Sequence, residues 1–211
     1  MAPTSQFYGS TLIRGKNPRQ LALTYDDGPN DPYTQRLLEV LAKHQARATF
    51  FLVGRYVQQR PQIAREVAQA GHALGNHTFT HPNLAFCSQI QTRIQLEECT
   101  RAIQDATGQT PRLFRPPFGG RRPSTLRIAR ELGLAPVMWD VTGFDWDAHS
   151  SADVERKVIR QTKGGSIILL HDGSHRGLGW DRSHTVAATD ALLTRYKSEG
   201  FEFVTIPELA Q

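Results

Sequence analysis

Leu21-Ala22-Leu23-Thr24-Tyr25-Asp26-Asp27-Gly28-Pro29, followed by the apolar-periodic run Pro32–His44, is the stretch that decides the fold. A short apolar run that stops at an acid–glycine–proline turn and gives way to a helix period is one strand–helix unit. The alternation then repeats. Strand-like runs follow at Ala48–Val53, His72–Asn76, Arg112–Arg115, Pro136–Val141, Ser166–Leu170 and Phe201–Ile206. Helix-period stretches lie between them at Pro61–Ala70, Ser88–Thr107, Pro123–Leu132, Ala152–Thr162 and His184–Ser198. Pro32, Pro61 and Pro123 stand near helix starts, and Gly71, Gly133, Gly164 and Gly200 follow helix ends, the usual punctuation.

Strands separated by helices imply parallel pairing through right-handed crossovers. About seven strand–helix units predict an α/β fold, a distorted, incomplete (β/α) barrel that is TIM-barrel-like but short of eight units. A doubly wound open sheet is the alternative. Residues 1–20 read as an N-terminal lead segment and residues 21–211 as a single catalytic domain. In parallel α/β folds chemistry gathers at the carboxyl ends of the strands. Asp26 and Asp27 follow the first strand, His77 the third and Arg115 the fourth. Asp145 and Trp146 lie beyond the fifth, and His171 and Asp172 follow the sixth. These side chains are expected to meet on one rim.

Composition sets the class. With 211 residues, 39% hydrophobic and 21% charged, the chain has room for one globular core. No apolar run is long enough to cross a bilayer. The first ten residues lack the basic segment and apolar stretch of a signal peptide. The expectation is a chain not exported by that route, or one whose leader has been removed. A net charge of +5, without a dense basic run interleaved with aromatics, argues against nucleic-acid binding. A monomer is expected. Cys87 and Cys99 are separated by helix, and twelve helical residues cover about 18 Å, whereas disulfide-linked Cα atoms lie within about 7 Å. The two thiols are expected to be free.

The chemistry sits in the turns. One carboxylate of the Asp26–Asp27 pair, together with His77 and His81 of His77-Thr78-Phe79-Thr80-His81-Pro82, makes a three-ligand set for Zn²⁺ or a similar ion. The second acid is then free to act as a base. Either stretch alone could be an ordinary turn; the combination points to metal-assisted hydrolysis. In Arg115-Pro116-Pro117-Phe118-Gly119-Gly120, the prolines would hold the arginine fork against a carboxylate, and the glycines would let backbone N–H groups approach a substrate oxygen. Trp146 could wall a small methyl group. Asp145 could orient His171, raise its pKa and ready it to donate a proton.

In this order the blocks resemble the polysaccharide deacetylase family (carbohydrate esterase family four, the NodB homology domain), from about Leu21 to Leu209. They are Thr24–Pro29, His77–Pro82, Arg115–Gly119, Asp145-Trp146 and Leu169–His171. The resemblance implies a distorted (β/α) barrel, with Asp26 as catalytic base and Asp27, His77 and His81 as metal triad. Arg115 would hold the base, His171 would be the acid and Asp145 would tune it. Trp146 and Leu169 would line an acetyl pocket, and the Phe118 N–H would join the metal in an oxyanion hole. Tyr25 stands where Phe is commoner in the family and Phe118 where Tyr is common. Thr142 stands where many members carry an acid.

The implied reaction is metal-dependent removal of the N-acetyl group from an N-acetylglucosamine-type glycan, with release of acetate. The glycan would be a chitooligosaccharide, peptidoglycan or exopolysaccharide. One divalent ion is expected, Zn²⁺ foremost with Co²⁺, Ni²⁺ and Mn²⁺ as alternatives. If a leader has been removed, the resemblance implies a secreted or cell-envelope protein; otherwise the sequence leaves the location open. Two rivals are a metal-dependent amidase or imidase of the same fold acting on a small non-sugar amide, and a carbohydrate-binding module without catalysis.

Overall fold

Apolar runs and helix punctuation resolve into eight strands and eight α-helices. In the computed structural model, which describes residues 2–211, these are β1 (Gln20–Gly28), α1 (Tyr33–Lys43), β2 (Thr49–Leu52), α2 (Gly54–Gln59), α3 (Pro61–Gln69) and β3 (Ala73–Asn76). Next come α4 (Gln89–Thr107), β4 (Leu113–Phe114), α5 (Pro123–Glu131), β5 (Ala135–Pro136), β6 (Val141–Thr142) and α6 (Ser151–Gln161). The chain ends with β7 (Ile167–His171), α7 (Ser183–Ser198), β8 (Glu202–Phe203) and α8 (Ile206–Leu209). The strands form one curled sheet in the order β5-β4-β3-β2-β1-β7-β6, with β8 paired to the foot of β1. Every named pairing is parallel. This is the expected incomplete (β/α) barrel, open between β5 and β6.

The sequence periods explain the layers. Leu21, Leu23 and Tyr25 of β1, Phe50 and Leu52 of β2, and Ile168 and Leu170 of β7 pack outward against helix residues such as Leu37, Leu41, Val158 and Leu192. The alternate positions Ala22, Phe51 and Ile167 fill the barrel interior with Leu113, Val137, Val204 and Leu209. Side chains two apart share a face. The interior face that begins with Ala22 therefore rises through Thr24 to Asp26, and that of β7 rises through Leu169 to His171. The apolar floor carries the polar rim. Burying each of these leucines contributes about 1.5–3 kcal/mol.

Two expectations are corrected. The run Pro136–Val141 is not one strand: β5 and β6 are two residues each, and Val137–Asp140 between them crosses the open seam. There the lead segment takes over the pairing. Leu12 pairs with Val137 and Arg14 with Ser166, and the Arg14 side chain donates to Asp140 at 2.9 and 2.7 Å. The second correction is at the carboxyl end, where only Glu202 and Phe203 of Phe201–Ile206 form a strand and Ile206 opens α8. Cys87 and Cys99 are free thiols. Among the described residues, no helix is long and apolar enough to cross a membrane.

Candidate active site

Neighbouring strand residues point to opposite faces, so Asp26 and Asp27 should diverge. Both line the same cleft. Asp27 has φ 74°, and the β1–β2 register shifts between Asp26 and Gly28. This bulge turns Asp27 back toward the barrel mouth. After β3, Thr78 and His81 also adopt left-handed φ values of 66° and 63°. Side chains hold that loop: the Thr78 N–H donates to Asn76 Oδ1 at 2.8 Å and the His81 N–H to Thr78 Oγ1 at 3.1 Å. Such conformations persist only where the surroundings enforce them.

The result is a convergent donor set. Asp27 Oδ1 lies 3.0 Å from His81 Nε2 and 3.6 Å from His77 Nε2. All three residues are buried. Even so, Asp27 Oδ1 makes no aligned hydrogen bond, and His81 Nδ1 has no protein partner. Ligand atoms about 2.0–2.1 Å from a tetrahedral ion sit about 3.3 Å from one another, so the three donors fit a small divalent ion. His77 Nδ1 faces the Arg115 carbonyl at 2.7 Å. A carbonyl only accepts, so Nδ1 carries the proton and Nε2 is the bare ligand atom. Burial pushes the His77 pKa down to about 4, which keeps the imidazole neutral. Burial opposes ionisation of Asp27, but the nearby His81 and the charge of His171 outweigh it and hold the carboxyl well below its usual range.

Arg115 is fully buried beneath the rim. Its Nη1 donates to Asp26 Oδ1 and to Thr24 Oγ1, each at 2.8 Å, and its Nη2 to the Met138 carbonyl at 3.1 Å. The guanidinium lies over the Phe51 ring at 4.1 Å. Gly75 leaves room for that ring, since a Cβ there would sit 2.3 Å from Phe51. The grip on Asp26 is through one nitrogen, not a two-nitrogen fork. Asp26 Oδ2 remains, 3.6 Å from His77 Nε2.

Across the cleft, Asp145 opens a 3₁₀ turn, Asp145–Asp147, and accepts three hydrogen bonds. His171 gives its N–H to Oδ2 at 2.7 Å and its Nδ1–H to Oδ1 at 2.8 Å. The third, from the Thr185 hydroxyl, reaches Oδ2 at 2.7 Å. Burial opposes charge on His171, but the Asp145 carboxylate, with Asp27 and Asp26 behind it, outweighs burial and raises the pKa to about 9. Trp146 meets the His171 ring edge-on at 5.1 Å, and Leu169 lies on the same strand face as His171. Thr142 closes a turn instead of supplying an acid: its hydroxyl accepts the Phe144 N–H at 3.3 Å, and Gln161 donates to its carbonyl at 2.8 Å.

Three departures from the sequence reading stand out. Asp172, expected on the rim, alternates away from His171; it is fully buried and takes the Thr34 hydroxyl at 2.5 Å. Burial pushes its pKa up to about 7. Thr185 and Arg182, both unforeseen, enter from the start of α7. Arg182 lines the cleft, donates from Nε to the Gly173 carbonyl at 2.7 Å, and its charge favours ionised Asp145. Nothing local in the sequence marks them; only the docking of α7 against the rim does. His175 stacks on His81 with ring centroids 5.1 Å apart.

These groups surround a cleft of about 420 Å³. Its rim carries the exposed rings of Phe118, Trp146 and Trp180. Phe118 has φ 57°. The Gly119 and Gly120 N–H groups donate back to the Pro116 and Pro117 carbonyls, while the Phe118 N–H donates to no group among the described residues.

Known proteins are similar to this chain over most of its length. The polysaccharide deacetylase family model matches residues 14–137. The peptidoglycan-N-acetylglucosamine deacetylase PgdA of Listeria monocytogenes is 36% identical over 93% of the chain, which spans 40% of that relative's length. A chitooligosaccharide deacetylase of Azorhizobium caulinodans is 34% identical over 91% of the chain and 95% of its own length. The crystal structure of the Bc1960 peptidoglycan N-acetylglucosamine deacetylase, in complex with a hydroxamate-type benzamide, superposes with a TM-score of 0.90 at 33% identity, covering 95% of this chain and 92% of that one. Fold, family model and relatives agree, and the chain belongs to the polysaccharide deacetylase family.

Proposed function

We propose that the chain is a divalent-metal-dependent deacetylase that hydrolyses the N-acetyl group of an N-acetylglucosamine-type glycan and releases acetate. One observation carries the reading: three buried donor groups converge, with the Asp26 carboxylate on one side and the His171 ring, held by Asp145, on the other. A divalent ion held by Asp27, His77 and His81, Zn²⁺ foremost, would polarise the acetamide carbonyl and make water acidic enough to attack.

The chain's own groups do the rest. Asp26, held at Oδ1 by Arg115, keeps Oδ2 free to accept the attacking water's proton. The free N–H of Phe118 is the donor for the tetrahedral oxyanion. His171, protonated on Nδ1 against Asp145, gives a proton from Nε2 to the departing sugar amine. Amide hydrolysis needs that proton because an amide anion is a poor leaving group. Leu169 and Trp146 wall the methyl group. The exposed aromatic rim suits the apolar faces of an extended sugar chain better than a small cyclic amide.

The test is acetate release from chitooligosaccharides and from peptidoglycan glycan fragments, before chelation, after it, and with Zn²⁺, Co²⁺, Ni²⁺ or Mn²⁺ restored. Acetate release that chelation abolishes and an ion restores supports the reading. Ring opening of a cyclic imide without acetate release, or no ion dependence, overturns it.

A further inference from the structure

Phe118 holds a left-handed backbone conformation (φ 57°) without being glycine, which persists only where its surroundings enforce it. Part of the enforcement is local. The Phe118 ring sits edge-on to His81 at 4.7 Å and to His175 at 5.2 Å. A Cβ on Gly120 would lie 2.1 Å from Asn83 Oδ1, so this turn lies close against the loop after β3. The remaining tie comes from far away in the sequence. Arg121 is only 3% exposed. Its Nη1 donates to the Gly119 carbonyl at 2.9 Å, and its Nη2 to the Ser5 and Pro3 carbonyls at 2.7 and 3.2 Å.

Among the described residues no carboxylate pairs with this guanidinium, and its Nε has no partner. Burying an unpaired cation is expensive, and packing alone would be served by an apolar side chain. What the guanidinium provides is a flat fork that reaches carbonyls of two separate segments at once. The N-terminal segment it grips is itself secured. Gln6 Oε1 accepts the Thr11 N–H at 2.6 Å, and the Met138 N–H donates to the Leu12 carbonyl at 2.8 Å.

We propose that Arg121 is a positioning residue for the oxyanion donor, fastening the Phe118 turn to the N-terminal segment and making residues 3–12 a working part of the site. The inference rests on the deacetylase reading above. It also extends the functional unit beyond the stretch matched by the family model, which begins at residue 14.

The experiment compares the 211-residue wild-type chain with Arg121→Gln, Arg121→Lys and Gln6→Ala. It measures kcat and KM for acetate release from an N-acetylglucosamine tetramer, bound metal per chain, and hydrogen exchange of peptides covering residues 116–121 and β1. Misplacing a reacting group by about 1 Å from a distance can cost about 10²-fold, so Arg121→Gln should lower kcat about 10–100-fold with KM changed less than about two-fold. Metal content should stay at one ion per chain, and exchange should speed up in residues 116–121 while β1 stays protected. Arg121→Lys should recover part of kcat. If Arg121→Gln does not fold, Gln6→Ala should reproduce the local exchange change with a kcat loss of a few-fold, from the other end of the tether. Unchanged exchange in residues 116–121, or a kcat loss that appears only with metal loss or exposure of β1, overturns the proposal. A wild type that releases no acetate overturns the deacetylase reading instead, while the exchange measurement still judges the tether.

Discussion

The two walls of the cleft solve the burial of charge in opposite ways. On the β1–β3 side, Asp27 Oδ1 and His81 Nδ1 are buried without hydrogen bonds, and the three donor atoms face a shared point. On the β7–α7 side, Asp145 is equally buried, yet both its oxygens are satisfied by His171 and Thr185. One wall gathers donor atoms that could hold a divalent ion; the other is finished by the chain itself. Buried polar groups are normally paired; the chain's own groups leave the first wall unfinished, while the finished wall fixes His171 against Asp145.

The largest effect should come from emptying the unfinished wall. His77→Ala with His81→Ala should reduce metal content, measured by elemental analysis, from one ion per chain to almost none, and turnover to background. An NMR signal from protonated His171 should survive, because the opposite wall needs no metal. Full metal occupancy in the double variant would refute the ligand assignment. Asp26→Asn comes next. Losing a positioned base costs about 10²–10⁴-fold in kcat, and the ion should stay because Asp26 is not among the three converging ligands. Near-normal turnover would mean the neighbouring acids have been given the wrong roles.

The finished wall predicts smaller and more selective effects. His171→Ala should slow amide substrates far more than activated aryl acetates, whose leaving groups need no proton; equal losses would remove His171 as the acid. Asp145→Asn tests the pKa. A proton donor loses activity as pH rises through its pKa, which Asp145, Asp27 and Asp26 raise to about 9 in His171. A bound cation offsets the share from Asp26 and Asp27, so the basic limb of kcat should lie below 9 in the loaded enzyme. Asp145→Asn should move it lower still, with greater loss at alkaline pH than near neutrality. The same pair stabilises the fold fully below the ordinary histidine pKa of 6.5, and that contribution is lost as pH rises through about 9. Thr185→Val should be mildest. One hydrogen bond is worth about 0.5–1.5 kcal/mol net, so a loss of no more than about tenfold is expected. A loss as large as that of His171→Ala would mean that Thr185 does more than hold Asp145.

The sequence displays the unfinished wall better than the finished one. Asp26, Asp27, His77, His81 and Arg115 stand at strand ends, in turns whose composition announces them. Asp145 and His171 were legible for the same reason. Thr185 was not, because a threonine in the first turn of a helix looks alike whether it faces solvent or a carboxylate forty positions earlier. The outward tilt of Asp172 followed from strand alternation, yet its neighbour His171 masked it. Among the elements, β1, β2, β3 and β7 were readable as apolar runs. The short helix α2 was not, with Tyr56 and Val57 as its only large apolar residues. The break between β5 and β6 was hidden as well, since Val137 is apolar because it packs in the barrel interior beside Leu12 and not because a strand continues there.

The central place of β1 also has a consequence for how the chain is made. One edge of β1 pairs with β2, about two dozen residues downstream, but the other waits for β7, whose partners lie some 145 residues away. During synthesis, a chain released only as far as α6 would carry an apolar strand edge with nothing to bond to. Unpaired edges of this kind invite association with other chains. Closing a loop of that length also slows folding. The candidate site therefore assembles late and all at once, because Asp26 meets His171 only when β7 docks.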